Sequence, residues 1–207
     1  MATFIKTGFW EKARKGYKEW LNLDELIQSL APPAPEPAYK VFTALLTQSG
    51  GSAFGDRVSG DTLTLGVTYL IAVNPDNEDL TIFGAPNSNV GTHFICTTVG
   101  VLTSANLYFD YGAPVTTVLE NTIGNIWFTY VDTGQYYINS PNLFTNNKTY
   151  TVIQLWGDDG VSTRTGVVQR FDSSILALYN HDYTGEYLVN TIGYFGFLTS
   201  IEIRVYN

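Results

Sequence analysis

The sequence predicts an all-β protein: a β-sandwich or jelly-roll-like body preceded by a short N-terminal helical segment and a proline-rich linker. Three features predict it. From Tyr39 onward, runs rich in Val, Ile, Tyr, Phe and Thr alternate with turns such as Asn74-Pro75-Asp76-Asn77 and Gly157-Asp158-Asp159-Gly160. Ala31–Pro37 holds four prolines in seven residues. Ahead of it, apolar residues recur at helical spacing.

The N-terminal segment, residues 1–31, reads as two short helices. Trp10, Ala13, Tyr17 and Leu21 form one stripe, with Thr7 available as its cap and Gly16 weakening it by about 1 kcal/mol relative to Ala. Asn22 with Glu25 three positions on resembles a capping box, opening a second stripe of Leu23, Leu26, Ile27 and Leu30. Helices this short are not stable alone, so their apolar faces need a partner surface. Trp10, Tyr17, Trp20, Leu26 and Leu30 are therefore the candidate anchor residues. Residues 32–37 follow as a semi-rigid polyproline spacer, since proline neither continues a helix nor serves a central strand.

Residues 38–207 form the expected β body. Its predicted strands are Lys40–Thr47, Thr62–Leu65, Thr68–Val73, Leu80–Phe83, His93–Thr97, Asn106–Tyr111 and Val115–Asn121. After a possible division into two subdomains near residue 113, at Gly112-Ala113-Pro114, come Ile126–Val131, Gln135–Ile138, Thr149–Trp156, Gly166–Phe171, Ser174–Asn180, Glu186–Val189 and Ile201–Tyr206. The last alternates most cleanly: Ile201, Ile203 and Val205 give an aliphatic face that should point into the core.

Charge narrows the function. Charged residues are 14% of the chain, against roughly 25% in typical soluble domains, and tyrosine alone counts 14. Residues 1–31 hold five basic and four acidic side chains, a net of +1. The rest holds six basic and fifteen acidic, a net of −9, which gives nucleic-acid binding no electrostatic footing. The basic cluster at 12–18 reads as a solvated helix face. No stretch has the apolar length of a membrane span, and charges interrupt the N-terminus where a signal peptide would be apolar. The expectation is a soluble part with no membrane partner.

Catalytic constellations are sparse. Cys96 is the single cysteine and sits in an apolar run, as a buried structural thiol would. His93 and His181 are the only histidines, and no zinc-type cluster or nucleophile elbow accompanies them. A pair of carboxylates would suffice for glycoside hydrolysis, with Glu78, Asp79, Glu120, Asp132, Asp158 and Asp159 as candidates. Most stand in turns, where solvation explains them, and Glu120 reads as a polar strand residue. Tyr136, Tyr137, Tyr183 and Tyr194 could stack on sugar rings, or pack in a core or between subunits. The reading is non-enzymatic, with no cofactor.

Three stretches carry a resemblance: Gly66–Tyr69 through Leu80–Ala85 to Gly91–Ile95, then Val118–Gly124, then Ile201–Asn207. They resemble segments of small structural proteins of tailed bacteriophages, including crAss-like phages. The resemblance implies a virion protein assembled in the host cytoplasm: a capsid decoration or head-fibre subunit, or a tail-fibre piece. Its implied partners are other virion proteins, the major capsid protein first, and further copies of itself, most simply as a homotrimer. A carbohydrate-binding tail-fibre or receptor-binding module, with a host-surface glycan as its partner, is the alternative.

Overall fold

Alternating burial, the mark of a strand with one face in a core, runs through most of the molecule. A computed structural model describes residues 38–48, 54–154, 165–181 and 199–207. The strands are β1 (Tyr39–Thr47), β2 (Phe54–Arg57), β3 (Thr68–Val73), β4 (His93–Ile95), β5 (Asn106–Asp110) and β6 (Val115–Asn121). They continue as β7 (Trp127–Asp132), β8 (Gln135–Asn139), β9 (Thr149–Gln154), β10 (Thr165–Arg170), β11 (Ile175–His181) and β12 (Thr199–Tyr206). All of the described residues belong to the unit Ala38–Asn207. The expected helices and spacer, and the strand expected at Glu186–Val189, lie outside them.

The strands form three antiparallel sheets, ordered β6-β1-β12-β9, β10-β11-β8-β7 and β2-β5-β3-β4. The first two share one apolar cluster. Phe42, Ala44 and Leu46 of β1 and Ile201, Ile203 and Val205 of β12 meet Phe128, Tyr136, Ile138, Leu176 and Leu178 of the other sheet. The Phe42 and Phe128 rings lie 6.2 Å apart. The expectation for the last strand holds: Ile203 is fully buried, and β12 is a central strand, between β1 and β9.

The third sheet has its own cluster, drawn from Leu63 to Phe109 and including Tyr69, Ile71, Phe94 and Leu107. The chain enters this smaller unit after β1 and leaves it before β6, yet β1 and β6 are neighbours in the first sheet. Gly66 sits where the two meet. Its N–H donates to the Cys96 carbonyl, and its own carbonyl accepts from Thr116 N–H of β6, both at 2.8 Å. Its φ of +78° suits glycine, and a Cβ there would stand 2.6 Å from the Thr116 carbonyl oxygen.

Two expected strands are different. Leu80–Phe83 is a 3-10 helix. Asp79 caps it by accepting from Thr81 N–H, and Gly84 closes it in the left-handed region, φ 103°. Local capping outweighs the β preference of Leu-Thr-Ile-Phe, and the three-residue repeat buries Leu80 and Phe83 together. Thr62–Leu65 makes a single bridge, Thr62 with Val101, because the turn at Thr64–Val67 ends any ladder. Conversely, β2 was not expected from Phe-Gly-Asp-Arg. Its Gly55 lies under the Phe109 ring, where a side chain would not fit.

Ile203→Asp should destabilise the body by about 4 kcal/mol or more, because it buries a carboxylate without a partner, while Ile203→Val should cost about 1 kcal/mol. Paired thermal melts check both, and two similar melts would remove β12 from the core. Gly66→Ala should cost more than about 1 kcal/mol by forcing φ and the Thr116 backbone apart, read as a lower urea midpoint at unchanged m.

Candidate functional site

A strand's two-residue period gives the small sheet two unlike faces. Gly55, Phe109, Tyr69 and Phe94 lie opposite one another across β2, β5, β3 and β4. Phe109, Tyr69 and Phe94 of that row face the small core. The neighbouring row, Asp56, Tyr108, Leu70 and His93, points the other way, and Phe54 with Asp110 forms the next pair on that same face.

This second face meets the edge of β7. In an antiparallel pair, alternate residues of an edge strand turn their N–H groups away from the partner strand. Phe128 and Tyr130 are such residues, and side chains of the small sheet receive both. Phe128 N–H donates to Thr68 Oγ1 at 3.4 Å, and Tyr130 N–H donates to Asp110 Oδ2 at 3.3 Å. The other carboxylate oxygen, Asp110 Oδ1, accepts from Gly112 N–H at 2.8 Å. The His93 ring stacks on Trp127 at 5.2 Å with 9° between planes, and Asn125 Nδ2 donates to the His93 carbonyl at 2.9 Å. Burial pushes the His93 pKa below the ordinary imidazole value, favouring the neutral ring.

Beside these contacts lies an open groove of about 210 Å³, walled by Phe54, Tyr108, Leu70, His93, Asp110, Thr129 and Tyr130. Asp110 is the one charged side chain of its lining, with no Lys or Arg. Phe54 is 81% exposed and Tyr108 51%. The groove thus offers two solvent-facing rings, a carboxylate, an imidazole and threonine hydroxyls, which suits a small uncharged ligand with both an apolar face and hydroxyl groups.

The residues singled out in the sequence are mostly elsewhere. The anchor candidates Trp10, Tyr17, Trp20, Leu26 and Leu30 lie outside the described residues, as do Asp158, Asp159, Tyr183 and Tyr194. Tyr136 is not a surface ring: it is 1% exposed, and burial pushes its phenol strongly up. Tyr137 packs near Phe171, with ring centroids 6.5 Å apart. Cys96 is buried, its Sγ on the Thr98 carbonyl, and burial pushes the thiol up, away from thiolate reactivity. Glu120 and Asp132 are exposed strand residues. Among the described residues, no group of three or more His, Cys, Asp or Glu is placed to hold a metal ion, and no helix is long and apolar enough to cross a membrane.

Glu78 and Asp79 have structural partners. Asp79 caps the 3-10 helix. Glu78 gathers three backbone donors, Thr103 N–H on Oε1 and Ser104 and Ala105 N–H on Oε2, at 2.8 to 2.9 Å. Phe54, Tyr108 and Asp110, by contrast, were not candidates. The alternation Leu107-Tyr108-Phe109-Asp110 put Tyr108 and Asp110 on one face, but nothing local placed β2 beside them.

Burial by itself raises the Glu78 pKa, and the three N–H bonds outweigh it, leaving the carboxyl below its ordinary value of 4.5. A carboxyl depressed on folding contributes stability that is complete above its unfolded value and is lost as pH falls through the folded one. Glu78→Gln should therefore be destabilised relative to the parent at neutral pH, with the gap narrowing below about pH 4.5. Urea melts across a pH series test this, and a gap independent of pH would refute the charge-based role.

No family model matches the chain, and neither a curated protein nor a solved structure matches it.

Proposed function

We propose that the chain is a non-enzymatic structural protein of a tailed-phage particle, a capsid decoration or head-fibre subunit. Residues 1–31 are its anchor to other virion proteins, the major capsid protein first, and the β body is the part on display. The observation that carries the reading is where the tether joins. The proline-rich residues 32–37 lead directly into β1, which is hydrogen-bonded on both sides, to β12 and β6. A tether on an edge strand can peel it from the sheet, whereas one on a central strand must break two ladders. The phage-like stretches also fall within this body, from β3 to β4, at the end of β6 and in β12.

The body is further proposed to be a β-sandwich. Within it, β7–β8 and β10–β11 pair as sequential strands of one sheet, whereas jelly-roll strands pass largely from sheet to sheet. Its copies assemble as a homotrimer. The support is the exposed apolar side chains on edge strands: Tyr150 and Val152 on β9, 60% and 62% exposed, and Leu119 on β6, 58% exposed.

Trp20→Asp combined with Leu26→Asp in the full chain should leave the thermal melt of the body unchanged and abolish association with purified particles. Unchanged occupancy by quantitative mass spectrometry would sink the anchor. Light scattering should give a trimer that Val152→Lys weakens, and a monomer at every concentration would count against self-association.

A further inference from the structure

We infer that the groove between the small sheet and the β7 edge is a sugar subsite, taking one neutral pyranose unit of a glycan. This does not rest on the particle reading, since it concerns the isolated body.

The argument starts from the two rings. Phe54 and Tyr108 sit on adjacent strands of one sheet face, in neighbouring rows, and both line the groove while staying largely in water. Diagonal neighbours of this kind stand roughly 7–8 Å apart, a spacing that one six-membered ring can span. A pyranose has a C–H face that packs on aromatic rings and a rim of hydroxyls that must be hydrogen-bonded once desolvated.

The groove supplies the rim's partners. An ionised carboxylate has about four acceptor sites. Asp110 uses two, for Gly112 and Tyr130 N–H, and these bonds hold it in place. The other two can accept from a pair of adjacent hydroxyls. The Thr129 hydroxyl, whose oxygen accepts from Asn139 Nδ2 at 3.1 Å, keeps its O–H to donate, and the His93 imidazole, beside Trp127, adds one donor and one acceptor nitrogen.

Other ligand classes fit less well. A phosphate or an acidic sugar would meet a carboxylate with no lysine or arginine in the lining, on a body of net charge −8. A purely apolar ligand would strip water from Asp110 and give nothing back. An organic cation would match the rings and the carboxylate but leave the donors of His93 and Thr129 without acceptors. The size is right for one ring: about 210 Å³ lies below the roughly 300 Å³ at which drug-sized pockets begin.

The test is NMR titration of the full chain with a panel of neutral hexoses and N-acetylhexosamines, with sialic acid and tetramethylammonium as the acidic and cationic arms. The expected result is saturable binding of at least one neutral sugar, with shifts at groove residues and none from sialic acid. Phe54→Ala and Tyr108→Ala should each weaken it about tenfold with an unchanged melting temperature. Phe54 is exposed enough for its variant to fold even if Tyr108→Ala does not. The inference is overturned if no neutral sugar saturates, if sialic acid or tetramethylammonium binds more tightly, or if Phe54→Ala binds as the parent does. Unchanged particle occupancy of the Trp20→Asp, Leu26→Asp variant with sugar binding intact would instead fault the anchor alone.

Discussion

The pairing of β1 with β12 is the constraint on which the rest of the architecture hangs. It runs antiparallel from Tyr39 opposite Tyr206 to Leu46 opposite Thr199 and joins the first and last described strands. Both are central, so each carries a second partner, β6 for β1 and β9 for β12. The register is set by burial: Phe42 opposes Ile203 and Ala44 opposes Ile201, and a slip of one residue would turn every one of these side chains to the surface. On the outer face, Arg204 lies 4.9 Å over the Tyr39 ring and pairs with Glu202, while Tyr206 touches both Tyr39 and Tyr150. Such surface contacts add little energy, but they hold the strand ends in one alignment. Because the partners are so far apart in sequence, loop closure precedes most of the stabilising contacts, which is the condition for slow folding.

With that pair in place, the small sheet has to leave the large sheet after β1 and return to it at β6. Its position creates the groove. An exposed edge at β7 would offer free N–H groups for unwanted pairing, and the small sheet covers it with side chains instead of another strand. Thr68 and Asp110 take the N–H groups of Phe128 and Tyr130, and His93 stacks on Trp127. A side-chain contact leaves more space than a strand ladder would, and that space is the groove. One arrangement protects the edge and shapes the candidate site.

The low charge of the body follows from the same economy. Loops here are held by short polar side chains acting on nearby backbone. Asn74 bonds the Glu78 N–H and the Glu78 and Ser88 carbonyls, and Ser88 Oγ accepts from Leu80 N–H. Ser140, Asn142 and Asp172 organise the loops around Phe144 in similar fashion. Asn, Ser and Thr do this without the desolvation cost of an ion, so few charges are needed. Charges at loops, Asp172 as well as Glu78 and Asp79, are carboxylates on backbone donors, and turn context alone misjudged Glu78 and Asp79 as merely solvated.

Strand identity was legible because burial on one face imposes a period of two on the residues themselves. Ile201–Tyr206, Asn106–Tyr111 (one residue beyond the observed end at Asp110) and Val115–Asn121 could be read directly, and so could the turns between them. Leu80–Phe83 could not, because its composition favours a strand and only Asp79, Ser88 and Gly84 together make it a 3-10 helix. The groove was illegible for a deeper reason. Alternation says that Tyr108 and Asp110 share a face, but it carries no information about which strand lies alongside or what covers that face. Sequence therefore determined the all-β character, the buried face of each clear strand and the acidic, charge-poor surface. Tertiary structure alone decided that β1 neighbours β6 and β12, that Phe54 stands beside Asp110, and that Tyr136 is core. Those are matters of strand order and sheet contact, settled by long-range burial and not by local pattern.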